Sequence, residues 1–198
     1  MTSTANNKKI INVLCLHGYL QNGEIMKSKM LKKWFNSKHN VQYLDGCYDC
    51  GVTDNTKKGW WYLDRDHLFD REYDFGTEFL EYIKAKVTVS PDFIVAFSQG
   101  CLVATILHNL NIFPSLRGLI LISGSPVVDP KYLPVDKLKI PTLHIIGSSD
   151  PICEPKHGQI MVDYYENPIV IYHSGGHVIP SKSAETSSAK KFMEEKLE

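Results

Sequence analysis

What the sequence lacks narrows it first. No apolar run approaches the roughly 20 residues that a membrane-spanning helix needs, and no internal repeat recurs along the chain. Neither sign of charge is in excess: Lys+Arg and Asp+Glu are equal at 22 each. No global field therefore draws the chain to nucleic acid or to an anionic membrane, and neither is expected as a partner. Met1 to Lys9 is a polar tail without the apolar core of a signal peptide. The expected location is accordingly the cytoplasm, with the nucleus also open. Five cysteines make an odd number, which fits reduced thiols better than a disulfide framework. Cys47-Tyr48-Asp49-Cys50 is a lone C-x-x-C. Zinc would want a second pair and a redox site would want a helix start. The pair reads as plain loop cysteines, and no metal or cofactor is expected.

What is present centres on Phe93-Ile94-Val95-Ala96-Phe97-Ser98-Gln99-Gly100-Cys101. Five apolar residues, branched and aromatic, suit a buried strand; Leu102 to Leu107, apolar again, suits a buried helix. A serine on the tight turn between them is the arrangement called a nucleophile elbow. Gly100 supplies the small neighbour two residues after the serine. Ala96 stands two residues before it, where G-x-S-x-G has glycine. The alternative is a strand ending in an ordinary N-cap serine, and this stretch alone does not separate the two.

The 198 residues are expected to form one domain with a full core. Ile10 to Leu16 reads as a first strand, and Met26, Met30, Leu31, Trp34 and Phe35 as one face of a helix beginning near Asn22. Val41 to Leu44 is a second strand. Asp45 to Asp70 then shows no sustained period yet carries Tyr48, Trp60, Trp61, Tyr62 and Phe69. A stretch that long is either disordered or functional, and its aromatics argue against disorder. A second helix spans Phe75 to Val87. Strands follow at Gly118–Gly124, Pro141–Gly147 and Pro168–His173, with helices near Pro155–Tyr164 and Ser183–Leu197 and a proline-rich loop over Val127 to Lys139. Strands that alternate with helices and are apolar on both faces imply a six-stranded, mainly parallel sheet covered on both sides.

In such sheets ligands bind beyond the carboxyl ends of the strands. His17-Gly18-Tyr19, Ser98, Gly147-Ser148-Ser149-Asp150 and Ser174-Gly175-Gly176-His177 all fall at those ends. Serine, aspartate, histidine is the chain order of the α/β-hydrolase triad. A serine hydroxyl attacks only if a histidine nitrogen takes its proton, and that histidine needs a carboxylate on its other nitrogen. Backbone N–H groups of Tyr19 and Gln99 are placed to face a developing oxyanion. His17 reads as a structural residue of its loop. His173 competes with His177 but precedes the flexible Ser-Gly-Gly; Asp129 and Asp136 compete with Asp150 from the loop after the fourth strand.

With these residues placed, the chain resembles the FSH group, the family of serine hydrolases, within the α/β-hydrolase superfamily. The resemblance rests on Leu16-His17-Gly18-Tyr19-Leu20-Gln21-Asn22-Gly23, Asp45-Gly46, Trp60-Trp61, Phe97-Ser98-Gln99-Gly100, Gly147-Ser148-Ser149-Asp150 and Gly175-Gly176-His177-Val178-Ile179-Pro180. It implies a compact α/β-hydrolase fold without a large lid domain, with Ser98 as nucleophile, Asp150 as acid partner and His177 as base. The expected substrate is a small carboxylic ester or acyl thioester. A serine peptidase or amidase, and a catalytically silent small-molecule binding protein, are the rivals. Trp60 and Trp61 are expected either to line an acyl pocket or to anchor their loop. Nothing in the sequence addresses oligomeric state.

Overall fold

The computed structural model describes residues 10–30, 33–51, 54–63 and 75–197. The polar tail at 1–9, Leu31, and the 64–70 stretch with Phe69 lie outside the described residues. In chain order the first half contains β1 (Ile11–Leu16), α1 (Gly23–Met30), β2 (His39–Leu44), β3 (Tyr48–Asp49), β4 (Lys58–Gly59) and α2 (Glu78–Lys86). The second contains β5 (Phe93–Phe97), α3 (Gln99–Asn109), β6 (Gly118–Ile122), β7 (Thr142–Gly147), α4 (Pro155–Val162), β8 (Ile169–His173) and α5 (Ser183–Glu195).

Six strands form one sheet in the order β2-β1-β5-β6-β7-β8, and every pair in it is parallel. This is the six-stranded parallel sheet that the strand–helix alternation predicts, and the α/β-hydrolase fold that the family resemblance implies. The period of two along each strand explains how the sheet is covered. Leu14 and Leu16 of β1 and Ile94 and Ala96 of β5 join Phe79 and Ile83 of α2, Ile106 of α3 and Met161 of α4 in one core. Ile11, Val13 and Cys15, with Phe93, Val95 and Phe97, point the other way and join Met26 and Met30 of α1 and Ala189 and Phe192 of α5. Each helix buries one apolar stripe, so neither face of the sheet is left to water.

Two sequence expectations change in detail. The stripe expected to run through Trp34 and Phe35 belongs to a helix bounded at Met30. Trp34 still packs as part of the same core, fully buried, with its Nε1–H on Pro180 O at 3.0 Å. The irregular 45–70 stretch contains a two-residue antiparallel ladder, Tyr48 against Gly59 and Asp49 against Lys58. That ladder is too short to show a period of two in the sequence.

Strand order reverses between β1 and β5: the chain leaves β1 toward β2 on one side and resumes with β5 on the other. The loop after β1 and the turn after β5 therefore flank the crevice where ligands bind in such sheets.

Candidate active site

Ser98 joins β5 to α3 with φ 53° and ψ −119°. A positive φ is unfavourable for a residue with a Cβ, costing on the order of 1–3 kcal/mol, and it persists only where the surroundings impose it. Here they do. Ser98 N donates to Ile122 O of the neighbouring strand at 2.9 Å, while α3 starts at the next residue. The start of α3 passes so close to the end of β1 that a Cβ on Gly100 would stand 2.3 Å from Leu16 O. The serine makes no side-chain capping bond, so the N-cap alternative does not describe it.

The hydroxyl instead meets His177. His177 Nδ1 lies 2.8 Å from Asp150 Oδ2. An ionised carboxylate only accepts, so Nδ1 carries the ring proton and Nε2 is free to accept. Ser98 Oγ lies 2.9 Å from that Nε2. The other oxygen, Asp150 Oδ1, accepts from the backbone N–H groups of Ile152 at 2.9 Å and Cys153 at 2.8 Å. Asp150 is buried, and these bonds hold its plane while its second oxygen faces the imidazole.

The crossing of two strand ends makes this reach possible. Ser148 N donates to His173 O at 2.8 Å and Ser149 N to Gly175 O at 3.3 Å, which lays the 174–177 loop across the end of β7. A Cβ on Gly147 would stand 2.5 Å from Gly176 O and 2.8 Å from Gly175 O. The rival histidine is turned away: His173 Nδ1 accepts from Gly175 N at 3.1 Å. Asp129 is engaged in its own loop, accepting from Phe75 N and Lys131 N at 3.1 Å each.

His17 and Gln99 organise the facing wall. Gly46 N donates to His17 Nε2 at 2.8 Å, so Nδ1 holds the proton and donates to Gly18 O at 2.7 Å. Burial pushes the His17 pKa down, which keeps that neutral tautomer in place. The Trp60 indole N–H donates to His17 O at 2.9 Å. Trp60 N donates to Gln99 Oε1 at 3.0 Å, and Gln99 Nε2 donates to Trp61 O at 3.1 Å. The Gln99 side chain thus grips both tryptophans by their backbone. Its own backbone N–H is the first of α3, one of those a helix leaves without an intrahelical partner. Trp60 is 0% and Trp61 3% exposed, and Trp61 stacks on Phe75 with ring centroids 4.2 Å apart.

Two features went unforeseen. The Gln99 clamp joins residues almost forty positions apart, and only the adjacency of Gln99 to the serine hinted at it. Cys153 has its thiol against the hydroxyls of Ser98 and Ser125. Burial pushes that thiol up to about 12, so it stays protonated and does not compete as a nucleophile. Cys47 and Cys50 are free thiols, each 3.6 Å from a backbone carbonyl, of Trp60 and Tyr48 respectively. Among the described residues no three His, Cys, Asp or Glu side chains converge to hold a metal ion, and no helix is long and apolar enough to cross a membrane.

A family model described as serine hydrolase (FSH1) matches residues 5–189. The esterase C25G4.2 of Caenorhabditis elegans is 27% identical over 212 residues, covering 95% of each chain. Among solved structures, the carboxylesterase of Bacillus cereus superposes with a TM-score of 0.69 at 20% identity, over 96% of this chain and 90% of that one. Acyl-protein thioesterase 2 of Zea mays gives 0.65 at 15% identity, over 95% and 96%. Both structural likenesses are likenesses of fold.

Proposed function

The chain belongs to the serine hydrolase (FSH1) family, and from that premise we propose that it cleaves a carboxylic ester or acyl thioester through Ser98, His177 and Asp150. The observation that carries the reading is the unbroken line from Ser98 Oγ through the His177 ring to Asp150, at 2.9 and 2.8 Å.

In this reading His177 Nε2 takes the Ser98 proton as Oγ attacks the substrate carbonyl, and Asp150 stabilises the imidazolium that forms. The developing oxyanion is held by the backbone N–H groups of Gln99 and Tyr19. His177 then hands its proton to the departing alcohol or thiol, leaving an acyl-enzyme on Ser98. Water enters on the vacated side and attacks the acyl carbon while the same nitrogen takes its proton; the imidazolium returns that proton to Ser98 Oγ as the C–Oγ bond breaks and the acid leaves. The sequence needs no metal and no cofactor. His17, Gln99, Trp60 and Trp61 act as positioning residues: they tie the loop after β1 to the start of α3, so that two donors from separate elements face one point. The burial of Trp60 and Trp61 supports their role as anchors of this wall over a role as pocket lining.

Hydrolysis of p-nitrophenyl acetate tests the reading. Ser98→Ala is expected to lower kcat/KM by about a thousandfold or more, the scale on which triad members act. A variant that keeps a tenth of wild-type activity would remove Ser98 from the mechanism.

A further inference from the structure

β8 ends the sheet: in the order β2-β1-β5-β6-β7-β8 it is paired with β7 alone among the described residues. An edge of that kind offers a row of N–H and C=O groups to another chain, and folded proteins usually guard it with charge. β8 has no such guard. No Asp, Glu, Lys or Arg occurs from Asn167 to Ser181. Ile169-Val170-Ile171-Tyr172 is branched and aromatic, the composition that suits a sheet best, and Ile169 is 44% and Tyr172 55% exposed. The opposite edge differs. β2 carries Asn40 and Gln42, and the Gln42 amide is tied to Lys86 O and Thr88 N at the end of α2.

Two hydrogen bonds fix which groups of β8 point outward. Ser148 N donates to His173 O, so His173 turns its backbone toward β7. Direction alternates along a strand, so Ile169 and Ile171 face β7 as well, and Val170 and Tyr172 face away. The register agrees: Ile145 lies opposite Ile171 and gives its carbonyl to Ser123 N on the β6 side. The outward groups are thus the N–H and C=O of Val170 and of Tyr172, and among the described residues no strand takes them.

These groups are complementary to a second copy of themselves. Set antiparallel about a two-fold axis at Ile171, Val170 of each copy faces Tyr172 of the other as a hydrogen-bonded pair. Every outward donor then meets an outward acceptor. Pro168, next on that side, has no N–H, so slipping the register toward it leaves the Tyr172 carbonyl without a donor. The two Ile171 side chains meet as the pair between, and each Tyr172 ring lies beside the other Val170. The contact brings backbone dipoles of opposite sense together and opposes no like charges, since the 167–181 stretch carries none. It also uses up the unguarded edge of each copy, so assembly closes at two.

We infer that the chain forms a two-fold dimer by pairing β8 with β8 of a second copy, which joins the two sheets into one. The two halves run antiparallel, so the candidate active sites open at opposite ends of the joined sheet. Each has the other copy's strand beside the root of its His177 loop. This inference is independent of the hydrolase reading.

Sedimentation velocity on the full chain from about 1 to 100 µM, a span that brackets micromolar Kd values, tests it against Val170→Pro and Tyr172→Lys. The Val170 N–H faces away from β7, so proline there spares the β7 ladder, and Tyr172 is exposed; thermal melting checks that both fold. Wild type is expected at twice the mass of one chain, and both variants at the mass of one. A wild type that stays monomeric throughout overturns the inference, and so does a Tyr172→Lys protein that remains dimeric, even if Val170→Pro does not fold. Oxidative cross-linking reads the register. An antiparallel non-hydrogen-bonded pair holds its Cα atoms about 4.5 Å apart, within disulfide reach, so Ile171→Cys should cross-link beyond the wild-type background. Tyr172→Cys should not, because its two copies lie on a diagonal of about 7–8 Å. Cross-linking through Tyr172→Cys and not through Ile171→Cys would overturn the pairing.

Discussion

Gly147→Ala adds one methyl group at the end of β7, away from the reacting atoms, and should nonetheless impair turnover. The new Cβ would stand 2.5 Å from Gly176 O and 2.8 Å from Gly175 O, against an ordinary contact of at least 3.4 Å. Both are backbone atoms, so no side chain can swing aside. The 174–177 loop must rise by roughly 0.9 Å at its nearest atom, and His177 rises with it. The Ser98 Oγ to His177 Nε2 distance is 2.9 Å; a shift of that size takes it out of hydrogen-bond range. Misplacement of a catalytic group by about 1 Å costs on the order of a hundredfold in rate. Overpacking costs about 1–3 kcal/mol, which lowers Tm by several degrees, at about 2–4 °C per kcal/mol in a chain of this size. Steady-state hydrolysis of p-nitrophenyl acetate, read beside a melting curve, measures both. A Gly147→Ala protein with kcat/KM within threefold of wild type would refute the argument that this glycine lets the histidine loop cross the sheet.

The two histidines of the last strand and loop should separate: His177→Ala is expected to cost as much as Ser98→Ala, and His173→Ala far less in the same ester assay. Equal losses would undo that assignment. In Asp150→Asn, Oδ1 keeps its bonds to Ile152 and Cys153 N–H, which leaves the amide NH₂ facing His177 Nδ1. Two donors cannot face each other, so the ring takes the other tautomer and Nε2 loses its lone pair. A fall in kcat of about four orders of magnitude follows, and an active variant would contradict it. His144 predicts an acid limit to stability. Burial lowers its pKa to about 4 from the ordinary 6.5, so the folded state holds it neutral while the unfolded chain protonates. The stabilisation is complete above pH 6.5 and is lost as pH falls toward 4. It amounts to about 3 kcal/mol at 1.36 kcal/mol per pH unit. Urea unfolding of wild type and His144→Gln between those limits should give curves that diverge by that amount, and parallel curves would dismiss His144.

What could be read from residue order was whatever depends on neighbours in the chain. Phe93 to Phe97 announces a buried strand because every side chain is apolar, and Ser98 announces a turn because a helix-forming run begins at once. The four strand ends could then be aligned without knowing which strands touch. Contacts between distant segments were not legible. Gln99 holding Trp60 and Trp61 by their backbone leaves no trace in periodicity, because a side-chain amide accepts any residue's N–H. For the same reason the tryptophans could be placed near the site, while their burial within it was not legible. Gly147 reads in sequence only as the last residue of a strand; its role lies in the two carbonyls that cross above it.

The most direct test of the central claim, that Ser98 is an activated nucleophile, is covalent labelling with a fluorophosphonate followed by peptide mass mapping. The account predicts one phosphonyl adduct on the peptide carrying Ser98, and none on Ser98→Ala at the same probe concentration. An unlabelled wild-type protein, or an adduct on any other serine, would contradict it.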